Sequence, residues 1–155
     1  ICEENPEFSS NLEIHLSGNI DNDILTNIKS YPYLRDKLKN LGYLSHSDVL
    51  EQYMKTSLLL LLLFNTKSGI GNYPGKIFEY FAAKRPILAF GPENSDTKRL
   101  INKTDTGFYF SFDDENFQKA ILDVYNNKYR FKQLEIDRFS REHLTGELSR
   151  LLNRL

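Results

Sequence analysis

Cysteine is nearly absent from this sequence, and the patterns that mark a metal site are missing. The one cysteine, Cys2, cannot form a disulfide within the chain, and no cysteine spacing typical of zinc binding occurs. The three histidines, His15, His46 and His143, are scattered, which also disfavours a metal site. A chain with a single thiol and no signal peptide at its start is typical of a reducing compartment, so we expect a cytoplasmic protein.

An excess of charge of one sign and a long apolar run are missing as well. The 20 basic and 21 acidic residues give a net charge of -1, and no block of like charges occurs. This excludes the basic field of a nucleic-acid-binding protein, so we expect no nucleic-acid partner. The very apolar run 58–64 is seven residues long, whereas a membrane-spanning helix needs about 20. We therefore expect no membrane span in this chain.

The sequence alternates short apolar runs with amphipathic stretches. This rhythm predicts an α/β fold, a Rossmann-like parallel sheet with helices on both faces (an α/β/α sandwich). The length of 155 residues corresponds to one domain, residues 1–155. The predicted strands are 12–17, 41–44, 58–64, 86–90 and 107–110. The predicted helices are 21–29, a short one ending at Asn40, one following a capping box at Ser45–Asp48, 74–84, 95–102, 113–125 and 139–155.

Two apolar segments carry more specific expectations. Residues 58–64 are apolar at every position, which predicts a central strand with both faces covered by helices. The last predicted helix has a leucine stripe, which is too short for a coiled coil and is expected to pack against its own domain. The stripe consists of Leu144, Leu148, Leu151, Leu152 and Leu155.

The predicted loop 65–73 is the best candidate for a ligand site, because ligands of open parallel sheets bind beyond the carboxyl ends of the strands. It contains two glycines and opens into a helix that starts near Pro74. Glycine lets the backbone approach a ligand, and the free amides of a helix start suit a diphosphate. Lys76 adds a cation in the first turn, where it opposes the helix dipole unless an anion lies nearby. Glu79, one turn beyond Gly75, has a carboxylate that two ribose hydroxyls can share.

A simpler interpretation competes with this one at both charged residues. Lys76 can be an ordinary solvent-exposed lysine, and physical arguments alone do not separate the two interpretations. For Glu79 they favour an ordinary surface glutamate, since helices are rich in glutamate.

Known phosphate-binding motifs do not explain this loop. The segment 71–77 has neither the spacing of a Walker P-loop nor its magnesium-binding hydroxyl, and Gly69-Ile70-Gly71 lacks the third glycine of a dinucleotide-binding motif. No nucleophile elbow and no pair of metal-binding carboxylates occurs either. Any phosphate site here therefore belongs to another type.

Residues 42–107 resemble the C-terminal, donor-binding domain of retaining GT-B glycosyltransferases, of the group 1, family 4-like type. The most specific segment is 74–89, in which a glutamate, aromatic residues, small residues and Lys84-Arg85-Pro86-Ile87 follow in the family's order. Weaker matches are Gly42-Tyr43-Leu44-Ser45-His46 with Tyr53, the strand 58–64, and Phe139-Ser140 with the leucine stripe. The resemblance covers most of the chain and implies the C-terminal half of a GT-B fold.

The resemblance implies a role for each candidate residue. Glu79 would bind the ribose of a nucleotide-diphosphate sugar, and the amides of Gly75 and Lys76 would face its diphosphate. The backbone of Tyr43, Leu44 and Ser45 would hold the base. Asn72 and its loop neighbours, including Gly71, would lie near the donor sugar.

The implied activity is hexosyl transfer without a metal or other cofactor. The acceptor, a glycan or a lipid-linked glycan, would be bound by an N-terminal domain outside this chain. A location at the inner face of a membrane stays open for the full-length enzyme. No catalytic residue is assigned.

The sequence departs from the family in two places. A second glutamate usually stands eight residues before the first, and here that position is Gly71. The family's domain also usually begins with a further strand and helix that carry a basic pair, and this chain starts after them, at Ile1. We therefore expect a fragment that binds a nucleotide without turnover. Three alternatives remain: a GT-B nucleotide-sugar epimerase, a non-catalytic nucleotide-binding or scaffold domain, and a receiver domain, which the lack of acids at the strand ends disfavours.

Overall fold

A computed structural model describes residues 1–154. The chain forms two compact units, Ile1–Gln52 and a second unit that begins at Tyr53. Each unit contains helices and one parallel sheet. The predicted Rossmann-like α/β class is therefore confirmed.

The first unit is built around two short parallel strands, with Ile14 opposite Leu38. It contains α1 (Pro6–Asn11), β1 (Ile14–Leu16), α2 (Asn22–Ser30) and β2 (Leu38–Asn40), and helix α3 (His46–Lys55) begins in it. The predictions of a strand within 12–17 and a helix at 21–29 are confirmed. Helix α1 was not predicted from the sequence.

The predicted strand 41–44 and the short helix ending at Asn40 are wrong, because the strand lies three residues earlier, at Leu38–Asn40. Gly42 explains the shift. It adopts a positive φ of 64°, a left-handed conformation that interrupts an extended strand. Its amide donates to the side-chain oxygen of Asn40 at 3.1 Å, which closes a turn where the strand was expected.

The second unit has three parallel strands in the order β3-β4-β5. Its elements are β3 (Leu59–Leu62), α4 (Lys67–Ile70), α5 (Lys76–Ala83), β4 (Ile87–Phe90), α6 (Asp96–Thr104), β5 (Gly107–Phe110), α7 (Phe117–Tyr125), a 3-10 helix (Ile136–Phe139) and α8 (Arg141–Leu152). All three predicted strands of this region are confirmed. The expected loop 65–73 contains one helical turn, α4, and α7 begins four residues later than predicted.

One face of this sheet carries the core of the second unit. Leu59 and Leu61 of β3 pack with Ile77 of α5 and Ile101 of α6, and the two isoleucines are completely buried. The opposite face is covered over β4 and β5 by an aromatic cluster that includes Phe117 of α7. Helices therefore lie on both faces of β4 and β5.

Strand β3 differs from its prediction as a fully buried central strand. It lies at a sheet edge, paired with β4 alone within residues 1–154. Its second face is open, with Leu60, Leu62 and Phe64 exposed by 48%, 62% and 74%. The reason is that the aromatic cluster on this face covers β4 and β5 and includes no residue of β3.

The leucine stripe of α8 is also exposed, so its predicted packing against the domain is wrong. Leu144, Leu148, Leu151 and Leu152 are each at least half exposed, and Leu155 lies outside the described residues. Helical periodicity identifies an apolar face but does not identify the surface that it contacts.

Burial of one tyrosine makes the stability of the fold depend on pH in the alkaline range. Burial raises the pKa of Tyr80 well above its usual value, and the nearby Tyr53 and Glu79 raise the pKa further. The Tyr80 hydroxyl donates to the carbonyl oxygen of Leu60 at 3.0 Å. The neutral phenol is therefore favoured in the folded state, whereas an unfolded tyrosine ionises near pH 10.

The stability contributed by neutral Tyr80 should be fully present below pH 10 and lost above it. We expect this residue to account for a loss of about 1 kcal/mol between pH 8 and pH 11. Urea unfolding at both pH values tests this. In Tyr80→Phe the pH dependence should shrink by that amount, and an unchanged dependence would contradict the assignment.

Candidate functional site

The candidate site in the second unit lies where a glycine-containing loop enters helix α5. Gly71 and Gly75 are exposed, and no heavy atom lies within 4 Å of the position that a Cβ would take at either one. The helix begins at Lys76, with Gly75 as its N-cap. Pro74 therefore lies just before the helix rather than in its first turn as predicted. The backbone at Gly71 and Gly75, just before the helix, is therefore accessible to a ligand.

Two backbone amides at the start of α5 are unpaired. The amides of Ile77 and Phe78 donate to the carbonyl oxygens of Pro74 and Gly75 at 3.0 and 3.2 Å. Those of Gly75 and Lys76 have no acceptor within the described part of the chain, and no side chain caps the helix. Unpaired amides and the positive end of the helix dipole form an environment that suits an anion.

Two charged side chains lie in the first turn of the same helix. Lys76 is exposed and Glu79 is partly buried, and neither forms an ion pair with any residue in 1–154. The Glu79 carboxylate also accepts no hydrogen bond from the described residues. Its charge is close enough to contribute to the raised pKa of Tyr53, whose main cause is burial. A partly buried carboxylate without a donor is chemically suited to accept hydrogen bonds from ligand hydroxyls.

The loop is anchored at Asn72. The Thr97 hydroxyl donates to the Asn72 carbonyl oxygen at 2.7 Å, and Thr97 is completely buried. The Thr97 amide in turn donates to the Ser95 hydroxyl, which caps α6. One end of the loop is therefore held by α6, whereas Gly71 and Gly75 remain open.

The three residues predicted to hold a base lie in the first unit. Tyr43 is 82% exposed, Leu44 is partly buried and Ser45 is exposed at the start of α3. The Ser45 hydroxyl accepts from the amide of Asp48 at 3.2 Å and donates to its carboxylate at 2.6 Å. The serine half of the predicted capping box is thus confirmed. In a complete capping box the acid would accept from the serine amide, whereas here the Asp48 carboxylate accepts from the serine hydroxyl.

The structure thus brings five of the predicted residues onto one loop and helix start in the second unit: Gly71, Asn72, Gly75, Lys76 and Glu79. Thr97, which anchors this segment, was not predicted as a site residue. The only sequence signal was the pattern Ser95-Asp96-Thr97, which is typical of a helix start.

Residues 1–154 contain neither a metal-binding cluster nor a helix suited to cross a membrane. This part of the chain contains no group of three or more His, Cys, Asp or Glu residues that could hold a metal ion. None of its helices combines the length and the apolar character needed to cross a membrane.

Comparisons with protein-family models and with curated proteins were made for the whole chain. No model of a protein family matches the chain, and no curated protein matches it.

Proposed function

We propose that this chain is the donor-binding part of a GT-B glycosyltransferase and binds a nucleoside diphosphate at the start of α5. The observation that carries the proposal is the combination of two unpaired amides, at Gly75 and Lys76, with an unpaired carboxylate, Glu79, in the first turn of one helix. Amides attract the diphosphate, and the carboxylate accepts from sugar hydroxyls.

The spacing of these groups supports a diphosphate joined to a ribose. Glu79 lies three residues beyond Lys76, which corresponds to about 4.5 Å along the helix axis at a rise of about 1.5 Å per residue. A nucleoside diphosphate also has both kinds of group close together: its phosphate oxygens accept hydrogen bonds, and its ribose hydroxyls donate them. A free phosphate has no ribose hydroxyls to donate to the Glu79 carboxylate, and the two negative charges would repel each other.

In the full-length enzyme, the transferred hexose would leave the diphosphate as its glycosidic C–O bond breaks. A new bond would form to an oxygen of a glycan or lipid-linked glycan, whose hydroxyl proton is released. The dipole of α5 and the Lys76 ammonium would stabilise the negative charge that develops on the leaving diphosphate. This chemistry requires no metal. The proposed location is cytoplasmic, with the acceptor held by a separate N-terminal domain.

A non-catalytic nucleotide-binding or scaffold domain is a second candidate, and Gly71 favours it. The glycosyltransferase family usually has a carboxylate at that position, and here the space beside Gly71 is open. An epimerase would use the same nucleotide site, so it shares the binding predictions.

Saturation-transfer NMR with UDP, GDP, ADP and dTDP tests the proposal on this chain. We expect transfer to one of the four nucleotides, with the strongest signals on ribose and base protons. The preferred nucleotide would also identify the base. Silence with all four at millimolar concentration, from a sample with a folded proton spectrum, would contradict nucleotide binding by this chain.

A further inference from the structure

The second unit contains a small pocket whose lining does not include Glu79. Its volume is about 270 Å³, and it lies beside helix α6 and the end of the 3-10 helix. Its lining combines three aromatic or aliphatic side chains with three cations: Tyr73, Leu100 and Phe139, and Arg99, Lys103 and Arg138. The pocket therefore joins apolar surface with a concentration of positive charge that the chain as a whole does not have.

The positive charge of this pocket is only partly neutralised. Arg99 pairs with Asp96, one turn earlier on α6, and Arg138 pairs with Glu135 at 2.9 Å. Lys103 forms no ion pair within the described residues. Three cations against two carboxylates leave one net positive charge. An arginine has five N–H donors, so the two paired arginines retain donors for a further anion.

The apolar wall of the pocket is held by the core. Leu100 is 8% exposed and belongs to the main apolar cluster. The ring of Phe139 lies 5.8 Å from that of Phe78 and 5.7 Å from that of Phe81, both on α5. The Arg138 guanidinium lies over the Phe139 ring at 5.8 Å from its centroid. A charge and an aromatic surface are thus fixed side by side before any ligand binds.

The loop residue Tyr73 also lines the pocket. It follows Asn72, whose carbonyl oxygen accepts the Thr97 hydroxyl of α6 at 2.7 Å. This hydrogen bond ties the loop to the helix that supplies Arg99 and Lys103. The walls of the pocket are therefore connected to one another.

We propose that this pocket binds a small phosphorylated ligand that carries an apolar ring. The phosphate contacts Lys103 and the free N–H groups of Arg99 and Arg138, since arginine donates to oxyanions in pairs. The ring lies against Phe139 and Tyr73. The volume is just below the range of about 300–1,000 Å³ typical of sites for drug-sized ligands, so the ligand is small.

The residues that carry the nucleotide proposal are not those that form this pocket. Gly75, Lys76 and Glu79 do not line the pocket. Failure of one proposal therefore leaves the other standing, and separate variants test them.

The test is a titration of the chain with phenyl phosphate, in which two-dimensional NMR spectra of the backbone amides monitor binding. Inorganic phosphate and phenol are the matched probes. We expect phenyl phosphate to shift amides of α6 and of residues 136–139 and to bind more tightly than either probe, because it alone supplies both the anion and the ring. Shifts scattered over the surface, or equal affinity for inorganic phosphate, would overturn the proposal.

Lys103→Gln is the decisive variant, because an exposed lysine without an ion pair can be replaced without disturbing the fold. We expect phenyl phosphate to bind about fivefold more weakly, the size of one exposed charge interaction. Arg138→Gln provides a second variant, and it should weaken binding as well. Lys119→Gln on α7 removes an exposed lysine elsewhere and should change the affinity by less than about twofold. Equal weakening in Lys103→Gln and Lys119→Gln would show a non-specific charge effect and refute the site.

Discussion

Replacing Gly107 with alanine is expected to lower the free energy of unfolding by about 3 kcal/mol, at the upper end of the usual cost of overpacking. Gly107 begins β5 and lies opposite Ile87 of β4. A Cβ at this position would lie 2.0 Å from the Ile87 carbonyl oxygen and 2.8 Å from the Ile87 Cα. Both atoms belong to the backbone of the middle strand, and Ile87 is completely buried, so no flexible side chain can move aside.

Urea denaturation of Gly107→Ala measures this loss, and Gly146→Ala is its matched control. Gly146 lies inside α8, where the nearest atom to an added Cβ is the end of the Arg150 side chain at 3.9 Å. Alanine should stabilise that helix by about 0.5–1 kcal/mol through helix propensity. The same substitution should thus have opposite signs at the two glycines. A loss below about 1 kcal/mol at Gly107 would contradict the close approach of β4 and β5.

Strands β4 and β5 of the second unit were predictable because proline and glycine mark their boundaries. Pro86 precedes β4 and Gly91 follows it, and β5 begins at Gly107, where it was predicted. Strand β2 was misplaced because its sequence, Leu38–Asn40, has no apolar alternation. Its position depends on pairing with β1, which is 24 residues away in the register of Ile14 with Leu38. Pairing across such a distance has no signature in a short window of sequence.

The placement of Gly75, Lys76 and Glu79 at a helix start was predictable for a similar reason, because the three residues are close in sequence. What the sequence did not reveal depends on contacts between distant segments. The anchoring of Asn72 by Thr97 spans 25 residues. The exposure of Leu60 and of Leu148 depends on which surfaces are covered in the folded unit, whereas periodicity defines only which residues share a face.

Glu79→Gln is expected to weaken binding of the preferred nucleoside diphosphate by about 10- to 100-fold. Hydrogen bonds to a charged group contribute about 1.5–3 kcal/mol, and a neutral amide replaces the carboxylate that the ribose hydroxyls would share. The side chain keeps its size, so the packing of α5 should be retained. Isothermal titration calorimetry measures the affinity, and thermal unfolding checks that the fold is intact.

Glu142→Gln is the matched control for this variant. Glu142 lies in the first turn of α8, so its replacement also removes a first-turn acid and its interaction with a helix dipole. It should leave nucleotide affinity unchanged within about twofold, because it lies outside the proposed site. Equal nucleotide affinities of the Glu79 and Glu142 variants would show that Glu79 does not contribute to the binding site.

A 3′-deoxy nucleotide distinguishes a ribose contact from a general effect of charge. If Glu79 accepts a hydrogen bond from the ribose, the wild-type chain should bind the 3′-deoxy nucleoside diphosphate more weakly than its parent, and Glu79→Gln should reduce that preference. If the carboxylate acts only through its charge, its removal should strengthen binding of the anionic diphosphate to the same extent for both nucleotides. The two roles of Glu79 therefore predict affinity changes of opposite sign, and four dissociation constants decide between them.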